Sequence, residues 1–364
     1  MNTMHAKKGF TELVAIGVIA VIGIAGIWGI NRYITDQQPT SSPSESAFVS
    51  PVTTRTLEGE VYEKFEEFPF MELTIPYLRS RIYESSFGDL KEVSKKNNYT
   101  AYTTSYDSDG LRINGYLTIP DGPGPFPAIV FIHGYIPPTI YRTTENYVSY
   151  VDYFARNGFV VFKPDLRGHD ASEGEAFGAY YSGGYVIDTL NAYTAVSDAT
   201  YVDSSKVGLW GHSMGGNIVF RSLVAQQNIP TAVIWAGAVY TYEDMREYSI
   251  QDNSYRPPTD DSARQQYRQE LNDTYGSFDS DSDFWQKVVP TNYLEGVTSK
   301  LQIHHAVNDS VVDIGYSKGL IELLEDTSIS ASLREYPTGG HNIISPSFES
   351  AMSSSVDFYN TSFQ

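Results

Sequence analysis

Val207-Gly-Leu-Trp-Gly-His-Ser-Met-Gly-Gly216 is the stretch whose reading decides the fold. Val207 to Trp210 read as an apolar strand. Gly211-His-Ser-Met-Gly215 then makes a tight turn of the form G-x-S-x-G, and Asn217-Ile-Val-Phe-Arg-Ser-Leu-Val-Ala225 reads as the helix leaving it. A serine raised on so sharp a strand-to-helix turn sits in a strained backbone conformation. Side chains two positions before or after it would collide with the neighbouring strand and helix, and glycine at both positions removes the collision. The helix points its N-terminus at the serine, where backbone N–H groups can meet developing negative charge. Ser213 is therefore the candidate nucleophile.

Working outward, apolar runs alternate with helical stretches. Residues 99–106 and 111–119 read as two strands joined at Asp107-Ser-Asp-Gly110, a hairpin signal. Ala128-Ile-Val-Phe-Ile132 is a continuous apolar run, as in a strand buried on both faces. Further strands are expected at 159–163, 206–210, 232–235, 301–305 and 332–336, with helices at 144–157, 185–199, 213–227 and from Pro346 onward. Such alternation predicts an α/β fold with right-handed crossovers, a mostly parallel central sheet and flanking helices. It fails between Trp235 and Leu301, so residues 240–299, acidic and rich in tyrosine, are expected as a cap insertion shaping a cleft.

The sequence of 364 residues is long enough for one large α/β domain with additions. A net charge of −19 disfavours a nucleic-acid partner, which needs a basic face. The absence of cysteine excludes disulfides, thiolate catalysis and cysteine-based zinc sites. Lys7 and Lys8 precede an uncharged run over 13–30, and Arg32 follows it. That run is about the minimum that spans a bilayer and lacks a cleavage signal, so residues 1–34 read as a cytoplasmic stub and retained signal anchor. The charge asymmetry puts the remainder outside the cytoplasm. A type IV prepilin leader at Lys8-Gly-Phe-Thr-Glu-Leu13 is a minor alternative. Residues 35–56, rich in Ser, Thr and Pro, read as a disordered linker, 57–98 as an N-terminal extension packed on the main domain, and 99–364 as the catalytic domain.

A serine needs a base, and the base an orienting acid. In elbow-type hydrolases the chain order is serine, acid, histidine. That order excludes His5, His133, His169 and His212, while His304 and His305 lie within a strand and are expected to pack. His341, in the loop Thr338-Gly-Gly-His-Asn342 after the last strand, is the expected base. Asp309 is the expected acid; Asp313 is the alternative, and reads better as the N-cap of a helix starting near Ile314. Backbone N–H groups of Met214 and Tyr135 are the expected oxyanion hole. His133 is expected to brace the oxyanion loop and Arg167 to organise its own loop. No metal cluster or phosphate-binding glycine loop is present in the sequence, and this chemistry needs no cofactor.

His133-Gly134, Asp165-x-Arg-Gly-His169, Gly211-His-Ser-Met-Gly-Gly216, Asn308-Asp-x-x-Val312 and Gly340-His341 together resemble the α/β-hydrolase fold. Within it they look most like the prolyl oligopeptidase group of serine peptidases, over about residues 99–362. The resemblance implies a serine-type peptidase acting through an acyl-enzyme on a small peptide, with a carboxylesterase on acyl esters as the alternative. A non-catalytic surface binding protein is the remaining reading. The chain departs from that group in two ways. Only a short extension stands where the group carries a β-propeller, and His133-Gly-Tyr-Ile136 stands where it often has His-Gly-Gly-Pro.

Overall fold

The computed structural model describes residues 67–248, 250 and 262–364. The chain falls into two units, Met1–Glu58 and Gly59–Gln364. The first unit, with the expected anchor and linker, lies outside the described residues, as does the extension before residue 67. Among the described residues no helix is long and apolar enough to cross a membrane, so the anchor finds no support there.

Among the described residues, nine strands form one sheet in the order β1-β2-β3-β5-β4-β6-β7-β8-β9. They are β1 (Lys91–Lys95), β2 (Tyr99–Ser108), β3 (Leu111–Pro120), β4 (Phe126–Ile132), β5 (Val160–Pro164), β6 (Val202–His212), β7 (Thr231–Trp235), β8 (Lys300–Ala306) and β9 (Ser330–Tyr336). From β5 to β9 every neighbouring pair is parallel, and β1, β2 and β3 join antiparallel. The expected hairpin is β2–β3. Asp109 and Gly110 at its tip both have positive φ, 58° and 79°, the geometry of a tight two-residue hairpin turn. β1 escaped the sequence reading because Lys-Glu-Val-Ser-Lys has no apolar alternation; it is an exposed edge strand, blunted by lysines and a register shift between Glu92 and Ser94.

Each face of the sheet carries its own apolar layer. One is built with α3 (Gly184–Ser197), α4 (Met214–Ala225) and α8 (Gly315–Leu324), through residues such as Leu190, Ile218 and Leu320. The other is built with α2 (Val148–Arg156) and α9 (Phe348–Ser362), around Phe131, Trp210 and Trp235. Helix α2 starts four residues later than expected, because residues 144–147 are held as a turn and Tyr147 has φ of 62°.

Between β7 and β8 the insertion folds into α5 (Tyr242–Glu247), α6 (Ser262–Tyr275) and α7 (Asp283–Val288). Its own small core gathers Tyr242, Leu271, Phe284, Trp285 and Val288, and takes Leu73 from the N-terminal extension. Tyr275 stacks on Phe284 with ring centroids 3.7 Å apart, and the Tyr267 hydroxyl donates to Glu72 at 2.6 Å. The extension thus divides: residues 68–73 join the cap, while Ile75 and Leu78, on α1 (Ile75–Ser80), enter the main core.

The elbow glycines sit where backbone meets backbone. A Cβ on Gly211 would stand 2.4 Å from the Gly215 carbonyl oxygen, and one on Gly215 would stand 2.3 Å from that of Ile132 in β4. Neither carbonyl can swing aside, since both belong to the turn and strand that form the elbow. By contrast, a Cβ on Gly319 in α8 would meet nothing within 4 Å. Gly215→Ala is therefore expected to cost at least about 2 kcal/mol in urea unfolding, the overpacking penalty, and Gly319→Ala to gain up to about 1 kcal/mol from helix propensity. Equal midpoints for the two variants would refute this account of the turn.

Candidate active site

Strand β6 delivers Ser213 to the rim of the sheet at φ 54° and ψ −119°, a conformation that L-residues rarely adopt. Its own N–H donates to the Trp235 carbonyl at 2.8 Å and its carbonyl accepts from Gly216 at 2.8 Å, so the strained backbone is pinned from both sides. Met214 is the first residue of α4, and its N–H has no acceptor within the helix.

The loop after β9 carries His341. Gly340 donates its N–H to the Asn308 side chain at 2.9 Å, and the Asn342 carbonyl accepts from the Tyr150 hydroxyl at 2.9 Å. His341 Nδ1 donates to Asp309 Oδ2 at 2.8 Å, which fixes the tautomer and leaves Nε2 as the basic nitrogen. The Asp309 side chain is wholly buried. Its Oδ1 accepts from the N–H groups of Val311 and Val312, at 2.8 and 3.0 Å. Burial pushes this carboxyl up, but hydrogen bonds from His305 and His341 outweigh it and hold Asp309 well below the usual carboxylate range. Asp313 lies aside from this contact, accepting from the Gly315 N–H at 2.7 Å at the start of α8.

The contacts of two residues were not foreseen in the sequence. His305, expected only to pack, has Nε2 at 3.3 Å from Asp309 Oδ2 and 3.0 Å from the Val312 carbonyl, while Nδ1 meets the Ser317 hydroxyl at 2.7 Å. His212, set aside by chain order, links the two halves of the site. Its Nε2 donates to the His341 carbonyl at 2.9 Å, and its Nδ1 accepts from the Tyr147 hydroxyl at 2.6 Å. That hydroxyl in turn accepts the Gly134 N–H at 3.0 Å. Burial, with His341 nearby, lowers the His212 pKa to about 3, which keeps the ring neutral, and the His341 carbonyl, which can only accept, puts its proton on Nε2. Nothing in the sequence marked Tyr147, since its partners lie 13 and 65 residues away.

The supporting residues take the roles expected of them. The buried His133 ring faces the Gly134 and Asp165 carbonyls at 2.7 and 3.1 Å and braces the loop after β4. Arg167 forms a forked ion pair with the buried Asp188, Nη2 to Oδ1 at 2.7 Å and Nε to Oδ2 at 3.0 Å. His304 packs between Gln302 and Tyr336, at 2.8 Å from each.

Ser213, Met214, Tyr135, His212 and His341 all line one cavity of about 1090 Å³. Asp309 does not itself line the cavity; it holds two residues that do, His341 and Val311. No hydrogen bond joins Ser213 Oγ to the His341 ring among the described residues. Among them, too, no group of three or more His, Cys, Asp or Glu could hold a metal ion.

This sheet, with a strained serine at the elbow, defines an α/β-hydrolase. Residues 146–364 match the prolyl oligopeptidase family of peptidases, and the chain belongs to that family. A protein of Bacillus subtilis (strain 168), described as the uncharacterized peptidase YtmA, is 27% identical over 150 residues; these are 40% of this chain and 56% of that one, so the match spans about half of the relative's length. Among solved structures, acetyl xylan esterase 1 from Thermoanaerobacterium sp. superposes with a TM-score of 0.56 at 18% identity, over 78% of this chain and 91% of the esterase. Dipeptidyl peptidase 4 of Porphyromonas gingivalis superposes with a TM-score of 0.51 at 18% identity, over 79% of this chain but 37% of the peptidase. At that identity both likenesses are of fold.

The buried imidazoles make stability depend on pH. Burial lowers the pKa of His133, His212 and His304 to about 3 and of His169 to about 4. In the unfolded chain these rings titrate near 6.5, so below that pH the unfolded state binds more protons and stability falls as pH falls. Each ring costs up to about 1.4 kcal/mol per pH unit until its folded value is reached. Asp165, pushed up to about 6 by burial, works in the opposite direction and offsets one ring in part of this window. Denaturant unfolding is expected to show stability falling continuously from pH 6.5 to pH 4. A flat profile there would mean that these rings are not held neutral.

Proposed function

We propose that the protein is a serine hydrolase that cleaves the acyl bond of small peptides through an acyl-enzyme. Ser213 Oγ attacks the carbonyl carbon while His341 Nε2 takes its proton. The N–H groups of Met214 and Tyr135 stabilise the oxyanion. His341 then gives the proton to the departing amine, and water enters by the same route to release the acid. Asp309 orients the ring and stabilises the imidazolium. The observation that carries this reading is a strained Ser213 opening onto the same cavity as His341, whose Nδ1 is bound to a buried carboxylate. The missing Ser213–His341 hydrogen bond is compatible with it, since such bonds often tighten only once substrate is bound.

A second reading keeps the same residues and makes acyl esters the substrate. It is favoured by the acetyl xylan esterase neighbour, which matches over nearly its whole length, whereas the peptidase neighbour matches over little more than a third.

Ser213→Ala and His341→Ala are each expected to lower kcat by roughly 10⁴- to 10⁶-fold on an activated ester, and Asp309→Asn by about 10⁴-fold. Full activity in Ser213→Ala, free of contaminating hydrolase, would sink both readings. To choose between them, kcat/KM is compared on an ester and an amide of the same acyl group. Amide turnover within a few orders of magnitude of ester turnover means that a poor amine leaving group is being protonated, and supports the peptidase. Ester turnover with no detectable amide cleavage supports the esterase.

A further inference from the structure

The cavity over Ser213 has walls of aromatic and aliphatic side chains, among them Ile136, Tyr147, Tyr180, Val311 and Phe348. Into this setting the cap helix α6 brings Arg264 and, one turn on, Arg268. A chain of net charge −19 has carboxylates in excess, so an arginine on a concave wall would ordinarily be met by one. Arg264 takes part in none of the ion pairs among the described residues. Its Nε is buried and donates to no protein group there.

The guanidinium is nonetheless held in place. It lies over the ring of Tyr135, the oxyanion-loop residue, at 5.6 Å from the centroid. On another side it passes close to Gly178, where an added Cβ would stand 3.1 Å from Nη2. The Tyr180 and Tyr185 phenols are pushed up by burial, and the Arg264 charge pulls against that. A half-buried, pre-positioned fork of N–H donors beside the oxyanion loop, facing a largely apolar cavity, is what recognition of a planar anion requires. Glu145 also lines the cavity and adds negative charge, which favours a singly charged ligand over a phosphate dianion.

Building on the hydrolase reading above, we propose that Arg264 is a specificity residue and that the substrate carries a carboxylate which it pairs with in the cavity. The carboxylate can belong to a dicarboxylic acid esterified at its other end, or to the free end or acidic side chain of a peptide. The pairing forms on a half-buried arginine beside apolar walls, so solvent and salt screen it less than a fully exposed ion pair.

The test compares substrates differing only in that charge: the 4-nitrophenyl monoester of glutaric acid against its neutral methyl ester, and a dipeptide with a free C-terminal carboxylate against its C-terminal amide. Wild type, Arg264→Gln and Arg264→Lys are assayed, with Ser213→Ala as control and thermal melting to verify folding. Arg264→Gln is expected to lower kcat/KM on the charged member of a pair by about 10- to 100-fold, to leave the neutral member within about threefold, and to lose less when lysine restores the charge. An effect confined to the ester pair puts the carboxylate in the acyl group; one confined to the peptide pair puts it in the peptide. If Arg264→Gln lowers charged and neutral members alike, or neither, the inference is overturned, while Ser213-dependent turnover of the neutral ester keeps the hydrolase reading intact. If wild type turns over no substrate, the hydrolase reading fails and this inference falls with it.

Discussion

The site depends on a close approach of backbone to backbone. The turn that carries Ser213 lies so near β4 that the Gly215 Cα points at the Ile132 carbonyl, with no room for one more carbon. That approach does two things at once. It forces Ser213 into a strained conformation at the tip of the turn, and it sets the Met214 N–H at the start of α4 beside the loop leaving β4. The strain is sustained because the turn is over-determined: hydrogen bonds to Trp235 and Gly216 hold Ser213 from either side, and buried layers on both faces hold β6.

A second constraint ties the loops together. The oxyanion loop, the elbow and the His341 loop belong to segments far apart in the chain, yet one path of hydrogen bonds runs Gly134, Tyr147, His212, His341. The path needs a neutral His212 that accepts on Nδ1 and donates on Nε2, and burial supplies the neutrality. On the other side of His341, Asp309 and Asn308 each fix one atom of its loop. The imidazole is thereby positioned from several directions, which matters because a small displacement of a proton-transfer group costs much in rate.

The cap adds Arg264 and Arg268 to a cavity whose tyrosines come from the main domain. The chain's tyrosines thus divide between two tasks that composition could not separate: Tyr242, Tyr267 and Tyr275 pack or tie the cap to the N-terminal extension, while Tyr135, Tyr147, Tyr150 and Tyr180 line the cavity. Arg221, buried on α4, donates to the carbonyls of Ala179, Ser182 and Leu73. The helix that follows the nucleophile therefore also holds the loop that brings Ala179 and Tyr180 to the cavity.

The sequence by itself determined the alternation of strand and helix, the hairpin at Asp109-Gly110 and the elbow. These are local: glycine, proline and apolar periodicity act over a few residues, and steric exclusion at Gly211 and Gly215 is written in the spacing. It also pointed to Ser213, Asp309 and His341, because chain order and loop position are themselves sequence properties. Tertiary structure alone decided the rest. β1 exists because an edge was available for a charged pentapeptide to pair with, and α2 starts late because Tyr147 is drawn to Gly134 and His212. His305 became a neighbour of Asp309 through the turn after β8, and Arg264 came to face the cavity through the fold of the cap. Each of these rests on contacts between residues that only packing brings together, and side-chain hydrogen bonds of that range leave no periodicity for a sequence to reveal.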